Sequence, residues 1–141
     1  MGEERQRVYG SSTLTMTRAE MELSRLRGRK ICDALLRKGR LWKGKHLMIR
    51  WLSGAPRHPA ADPARRAVYA GTLASRKLDK SAVKRNRMRR RCREALRVAL
   101  KESEIHGTAQ LLLLPRSSSL TCAFVEIQAD IAQFLRLLPQ R

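Results

Sequence analysis

The chain is poor in aromatic and in acidic residues. Phe, Trp and Tyr together make up 4% of its 141 residues. Only 12 Asp and Glu stand against 31 Lys and Arg, which gives a formal net charge of +19. Because charge of one sign opposes compaction, a partner that neutralises part of it is expected. The composition therefore indicates a polyanionic partner.

Cysteine pairs and long apolar runs are also missing. Cys32, Cys92 and Cys122 stand far apart without CxxC spacing, which argues against a disulfide framework or a zinc site and predicts reduced, buried thiols. Even the longest apolar runs, such as Leu111–Leu114, are short, whereas a membrane-spanning helix needs roughly 20 residues. The N-terminus lacks the apolar core of a secretory signal. We therefore expect a cytoplasmic protein with no membrane partner.

The residues that could carry out hydrolysis are dispersed along the sequence. A metal-dependent nuclease needs clustered carboxylates to hold hard cations. The aspartates and the histidines instead fall on separate predicted elements. These residues are Asp33, Asp62, Asp79, Asp130, His46, His58 and His106. The sequence therefore predicts no catalytic residue and no metal site in the protein itself.

Apolar periodicity and turn residues predict one mixed α/β domain over residues 21–141, preceded by a flexible polar extension over residues 1–20. The predicted helices are Met21–Lys38, Ala82 to about Lys101, and Val125–Leu138. The predicted strands are His46–Leu52, Ala67–Ser75 and Ala109–Pro115, and a Pro-rich loop covers Ser53–Pro63. Gly39 is the predicted end of the first helix, and Ser81 is the predicted N-cap of the second.

The most informative segment is SAVKRNRMRRRCREALR, Ser81–Arg97. At about 100° per residue, four small or apolar side chains form one stripe that can pack on a sheet, and cations lie opposite. The stripe consists of Met88, Cys92, Ala95 and Ala99. Eight Lys and Arg lie between Lys84 and Arg97, with Glu94 as the single acid. Like charges at this spacing destabilise a free helix by a few tenths of a kcal/mol per pair, so phosphates are the natural compensation. Arginine, whose planar fork binds phosphate and stacks on bases, favours structured RNA.

The same segment resembles the signature of the bacterial ribonuclease P protein family, which runs AVxRNxxKRxxRE. Seven positions match, and Arg89 stands where the family has Lys. The matching residues are Ala82, Val83, Arg85, Asn86, Arg90, Arg93 and Glu94. The likeness extends over about residues 23 to 138.

This resemblance implies a fold that the composition does not reveal. It is a two-layer α/β sandwich with the element order αβββαβα, of the kind found in the second domain of a small-subunit ribosomal protein. The signature helix would join two parallel strands through a left-handed crossover.

The resemblance also implies a role in tRNA processing. The chain would be the protein subunit of an endoribonuclease that removes the 5′ leader of precursor tRNA. Catalysis would reside in the RNA, with Mg²⁺ bound mainly by that RNA, and no DNA partner is expected. Docking on the catalytic RNA would involve Arg85, Asn86, Arg87, Arg89, Arg90 and Arg93. Electrostatic support would come from Arg76, Lys77 and Lys84.

A cleft between the first helix and the sheet is implied to hold the single-stranded leader. Its positions in this chain are Cys32, Leu36, His46, Met48 and Trp51. The family has aromatic residues where this chain has Cys32 and Leu36, and each base stack is typically worth about 1–3 kcal/mol, so weaker leader contact is expected. The turn before the signature, Leu78–Ala82, lacks the usual glycine and is one residue longer, which predicts a changed loop.

Two other functions compete with this interpretation. A basic ribosomal-type protein could offer the same Arg-rich helix without any processing role. A protein-only nuclease would cleave RNA without an added RNA subunit. The spacing of the signature disfavours the first, and the dispersed carboxylates disfavour the second.

Overall fold

A computed structural model describes residues 22–26, 28–56, 67–102 and 107–138. The strands are β1 (Glu22–Arg25), β2 (Arg40–Lys43), β3 (Leu47–Ser53), β4 (Ala67–Thr72) and β5 (Ala109–Pro115). The helices are α1 (Arg29–Lys38), α2 (Ala82–Glu102) and α3 (Phe124–Leu137), and a 3-10 helix covers Ser117–Leu120. The predicted extension over 1–20 and much of the predicted loop, residues 57–63, lie outside the described residues.

The described strands form one mixed sheet in the order β1-β4-β5-β3-β2. β1, β4 and β5 run parallel to one another, whereas β3 pairs antiparallel with β5 and β2 pairs antiparallel with β3. α2 therefore joins two adjacent parallel strands, β4 and β5. From α1 onward the element order is αβββαβα, as the resemblance implied, and β1 precedes it.

The prediction that the first helix starts at Met21 is wrong, because β1 occupies its first turn. Glu22–Arg25 pairs with β4, in which Leu23 lies opposite Val68. Gly28 follows with a φ of 99°, a left-handed conformation that glycine adopts at little cost. α1 begins directly after it, at Arg29.

Gly39 ends α1, as predicted. Its backbone N–H donates to the carbonyl oxygen of Leu35 at 2.9 Å. A Cβ at this position would lie 2.5 Å from that oxygen and 3.3 Å from the backbone nitrogen of Trp51. The end of α1 therefore requires glycine, mainly because a side chain would collide with the carbonyl oxygen of Leu35.

The two faces of the sheet are covered by different helices. α2 and α3 pack on one face, here called the α2–α3 face, where the large buried cluster includes Leu47, Ile49, Val68, Leu96, Leu111, Ile131 and Phe134. α1 packs on the opposite face, here called the α1 face, over a smaller cluster that includes Leu35, Tyr69 and Leu112. The two-layer prediction describes the first face, and α1 adds a partial third layer.

The apolar stripe of α2 is buried as predicted. Met88, Cys92 and Ala95 are fully buried, and Ala99 is 6% exposed. All three cysteines are free; Cys32 and Cys122 are half-buried, which is less than predicted. Over the described part of the chain, no helix combines the length and the apolar character that a bilayer span requires.

Candidate nucleic-acid interface

The first turn of α2 is fixed by the residues that precede it. The Ser81 hydroxyl accepts a hydrogen bond from the backbone N–H of Lys84 at 3.3 Å, which confirms Ser81 as the N-cap. The Ser81 N–H in turn donates to the Asp79 carboxylate at 2.8 Å. The side chain of Asp79 therefore stabilises the turn, and it forms no ion pair with a described cation of α2.

A row of six cations and one asparagine, here called the α2 ridge, projects from the side of α2 that faces away from the core. It consists of Lys84, Arg85, Asn86, Arg87, Arg89, Arg90 and Arg93. Arg85 and Arg89 are half-buried, and the others are exposed. Among the described residues, no carboxylate forms an ion pair with any member. The helix thus presents an unneutralised positive surface.

Two ridge arginines are held against the protein backbone. The Arg85 guanidinium donates to the carbonyl oxygens of Asp79 at 2.9 Å and Lys80 at 3.0 Å. The Arg89 guanidinium donates to the carbonyl oxygen of Ala74 at 3.1 Å and to the side-chain oxygen of Asn86. These bonds orient the two guanidinium groups, because each is tied to the segment between β4 and α2.

The segment between β4 and α2 carries two further predicted cations. Arg76 and Lys77 are exposed in a turn closed by a hydrogen bond from the Leu78 N–H to the Ser75 carbonyl oxygen at 3.0 Å. Both residues line an open depression together with Leu78, Asp79 and Lys80. The structure therefore brings Arg76 and Lys77 to the N-terminal end of the α2 ridge.

The single acid within the signature is paired further along the helix. Glu94 accepts two hydrogen bonds from Arg97, at 3.0 and 2.5 Å. The hydrogen bond from Arg97 lowers the pKa of Glu94 below its ordinary value. Because Glu94 is engaged by Arg97, it leaves the ridge cations uncompensated.

The predicted leader cleft is only partly assembled. Cys32 packs against the small cluster under α1, and Leu36 on the same helix is 36% exposed. Met48 lies opposite Leu114, which also borders this cluster. These three residues therefore share the groove between α1 and the sheet.

His46 and Trp51 do not share this groove, which corrects the predicted cleft. Successive side chains of a strand point to opposite faces, so Trp51 emerges with Leu47 and Ile49 on the α2–α3 face. There it packs against Phe134 with ring centroids 6.0 Å apart. The guanidinium of Arg40 covers it, 5.3 Å from the ring centroid.

His46 is 5% exposed and lies in a polar network near the N-terminal end of α3. Its Nε2 atom donates to Glu126 at 2.8 Å, and in this tautomer Nδ1 accepts from the Ser118 hydroxyl at 2.9 Å. Its backbone N–H donates to the Asp130 carboxylate at 2.7 Å. These contacts make His46 a structural residue that fixes the start of β3 against α3.

Comparison with known proteins decides the family of this chain. The ribonuclease P family model matches residues 21–138, which include every element of the sheet and all three helices. The chain belongs to the ribonuclease P protein family. Two ribonuclease P protein components, from Thermus thermophilus and Thermus oshimai, are 33% and 32% identical to it over 102 residues, or 72% of this chain. The chain spans 52% and 56% of the length of these relatives.

Solved ribonuclease P proteins share the fold. The protein from Thermotoga maritima superposes with a TM-score of 0.63 at 18% identity, covering 82% of this chain and 98% of that protein. The protein from Staphylococcus aureus superposes with a TM-score of 0.60, also at 18% identity, covering 80% of this chain and 93% of that protein. At this identity the likeness establishes the fold and leaves individual residue roles to be argued from this chain.

Two arginines that the ribonuclease P signature did not single out have defined positions. Arg91 was counted with the cations of α2, yet it points at the 3-10 helix and donates to the carbonyl oxygens of Ser119, Leu120 and Cys122. Arg50 lies on the α1 face, where its guanidinium donates to the carbonyl oxygen of Gly39 at 3.1 Å. Strand alternation would have placed Arg50 beside Met48, two residues away on β3.

Proposed function

We propose that this chain is the protein subunit of ribonuclease P, which binds the catalytic RNA and assists it in removing the 5′ leader of precursor tRNA. The observation that carries the proposal is the α2 ridge. Its exposed cations follow the family signature, and no described carboxylate neutralises them. A surface of this kind releases counterions when it meets RNA phosphates, which favours binding.

The ridge is suited to a structured polyanion. Arg85 and Arg89 are pre-oriented by backbone carbonyl oxygens, so less side-chain freedom is lost when they meet phosphates. Exposed cations on the same helix and on the preceding turn extend this surface. They are Lys84, Arg87, Arg90, Arg93, Arg76 and Lys77. We assign all these residues, with Asn86, to the contact with the catalytic RNA.

The groove on the α1 face is the proposed site for the 5′ leader. It lies across the sheet from α2, so the protein can hold catalytic RNA on one side and the substrate leader on the other. Its action would be to neutralise charge and to position the leader relative to the RNA catalyst. The chain would therefore be a subunit of a cytoplasmic endoribonuclease without supplying a catalytic side chain.

Mg²⁺ is assigned to the RNA in this proposal. Within the described residues, no group of three or more His, Cys, Asp or Glu side chains could hold a metal ion. The carboxylates of Asp79 and Asp130 already accept backbone N–H groups. The described side chains thus form no cluster of three or more metal ligands, whereas RNA phosphates provide hard oxygen ligands.

Reconstitution tests the proposed function directly. Precursor tRNA is incubated at low Mg²⁺ with the protein alone, the catalytic RNA alone, and both together, and the 5′ end of the product is mapped. We expect efficient cleavage at the mature 5′ end only when both are present. Cleavage by the protein alone would move catalysis to the polypeptide, and no stimulation in the mixture would favour an RNA-binding protein without a processing role.

A further inference from the structure

Among the described residues, no aromatic ring in the groove on the α1 face is available for stacking on bases. Five of the six aromatic residues lie in the described part of the chain. Trp42, Trp51, Phe124 and Phe134 belong to the cluster on the α2–α3 face. Tyr69 is on the α1 face but is 6% exposed, within the cluster beneath α1.

Two cations occupy the part of this face where stacking rings are missing. Lys43 of β2 lies opposite Met48 of β3. Two residues along on each strand, and on the same face, Leu41 lies opposite Arg50. Lys43 and Arg50 are therefore diagonal neighbours across β2 and β3, a relationship that keeps two long side chains within reach of one ligand. Lys43 is exposed, and Arg50 is half-buried.

The groove is otherwise aliphatic and lacks negative charge on its floor. Leu41 is 40% exposed, and Met48 and Leu114 are half-buried beside the two cations. β2, β3 and β5 contain no carboxylate residue. Within the described residues, the one acceptor for the Arg50 side chain is the carbonyl oxygen of Gly39, which leaves the remaining donors of its guanidinium for a ligand.

We infer that this groove holds the single-stranded 5′ leader by its phosphates, through Arg50 and Lys43, and that it is indifferent to the leader's bases. The inference rests on the proposed function and specifies how its substrate is recognised. Arg50 is the principal phosphate-binding residue, because the bond to Gly39 fixes its guanidinium at the C-terminal end of α1. Recognition of this kind depends on salt and accepts any leader sequence.

The leader gain is the ratio of the affinity for precursor tRNA to the affinity for mature tRNA. Its dependence on salt concentration gives the expected size of the effect. Each phosphate contact to a single strand contributes about 0.7 to the slope of log affinity against log salt. Two contacts would reduce the affinity gained from the leader roughly sevenfold between 50 and 200 mM salt. One contact would reduce it roughly two- to threefold over the same range.

Modified leaders separate phosphate recognition from base recognition. The reconstituted holoenzyme is titrated with precursor tRNA carrying an ordinary, an abasic or an uncharged methylphosphonate leader, and with mature tRNA as the reference. We expect the abasic leader to retain the affinity gain and the uncharged leader to lose it. Loss of the gain with the abasic leader would overturn the inference.

Substitutions then test the residues. Arg50→Gln and Lys43→Gln should each lower the salt slope of the leader gain by about 0.7, and Arg50→Lys should restore most of it. Arg136→Gln, which removes the same charge from the exposed side of α3, should leave it unchanged. If Arg50 only caps α1, Arg50→Gln will lower the midpoint of urea unfolding and leave the leader gain intact, which would also overturn the inference. Lys43 makes no such cap and provides an independent readout.

The proposed function and this inference fail in different ways. If the protein does not stimulate cleavage at the mature 5′ end with an ordinary leader, the proposed function is wrong and no leader site follows. If it stimulates cleavage but the gain follows base identity, the function stands and phosphate recognition by Arg50 is wrong.

Discussion

The Arg91 guanidinium donates to the carbonyl oxygen of Cys122 at 2.5 Å and so ties the middle of α2 to the segment that leads into α3. The same group donates to Ser119 at 2.7 Å and to Leu120 at 2.9 Å. One side chain thus satisfies two carbonyl oxygens of the 3-10 helix and a third in the segment between that helix and α3. This arginine acts on the fold, although Arg90 and Arg93 on the same helix are exposed.

Substitution of Arg91 should therefore destabilise the protein more than it weakens RNA binding. Arg91→Met keeps much of the aliphatic stem but leaves the three carbonyl oxygens unpaired, so we expect a loss of about 2–3 kcal/mol in the free energy of unfolding. Urea unfolding measures it, with Arg90→Met as the exposed control. A stable Arg91→Met protein with a reduced salt slope for RNA binding would contradict this assignment.

The exposed part of the α2 ridge should determine the salt dependence of binding to the catalytic RNA. Arg87, Arg90 and Arg93 have no described side-chain partner, whereas Arg85 and Arg89 also hold the backbone, so the first three provide the cleaner test. Changing them together to Gln should lower the salt slope by about two to three, since each phosphate contact contributes about 0.7–0.9. The midpoint of unfolding should hardly move. An unchanged slope would remove this helix from the RNA interface.

The signature helix could be predicted almost to the residue because its sequence carries two independent patterns. Buried side chains recur from Met88 to Ala99 at helical spacing, and cations fill most of the other positions. Ser81 marks the start through an N-cap that depends on residues close in sequence. Local patterns of this strength need no knowledge of distant partners.

The features that could not be predicted depend on partners that are distant in sequence. β1 has four residues, and its partner β4 lies more than 40 positions later, so Leu23 and Leu26 fitted a helix equally well. Trp51 could have faced either side of the sheet until Phe134 was known to cover it. The direction of Arg91 depended on a 3-10 helix that lies between the last predicted strand and the last predicted helix.

Acid should weaken the contact between His46 and Glu126. The hydrogen bond from His46 lowers the pKa of Glu126 below its ordinary value of 4.5, so the charged carboxylate is favoured in the folded state. The stability from this shift is complete above pH 4.5 and is lost as the pH falls through the lowered folded pKa. Lys45, which lies 3.6 Å from Glu126, and Asp130 are the other charged groups that contact this network.

Glu126→Gln should remove this part of the pH dependence. Urea midpoints measured from pH 7 to pH 3 should fall less steeply for the variant than for the unchanged protein. Glu102→Gln, at the exposed end of α2, is the matched control and should follow the unchanged protein. Parallel curves for all three would mean that the contact between His46 and Glu126 does not contribute to stability.

Trp51 should contribute to stability and not to leader binding, since it lies on the face opposite Cys32 and Met48. Truncating a large aromatic side chain in a core costs about 3–5 kcal/mol. Because Trp51 is half-buried, we expect Trp51→Ala to cost about 2–3 kcal/mol. Trp51→Phe retains a ring beside Phe134 and should cost less. The affinity ratio between precursor and mature tRNA should be unchanged in the folded Trp51→Phe protein, whereas a lower ratio at unchanged stability would return Trp51 to the leader groove.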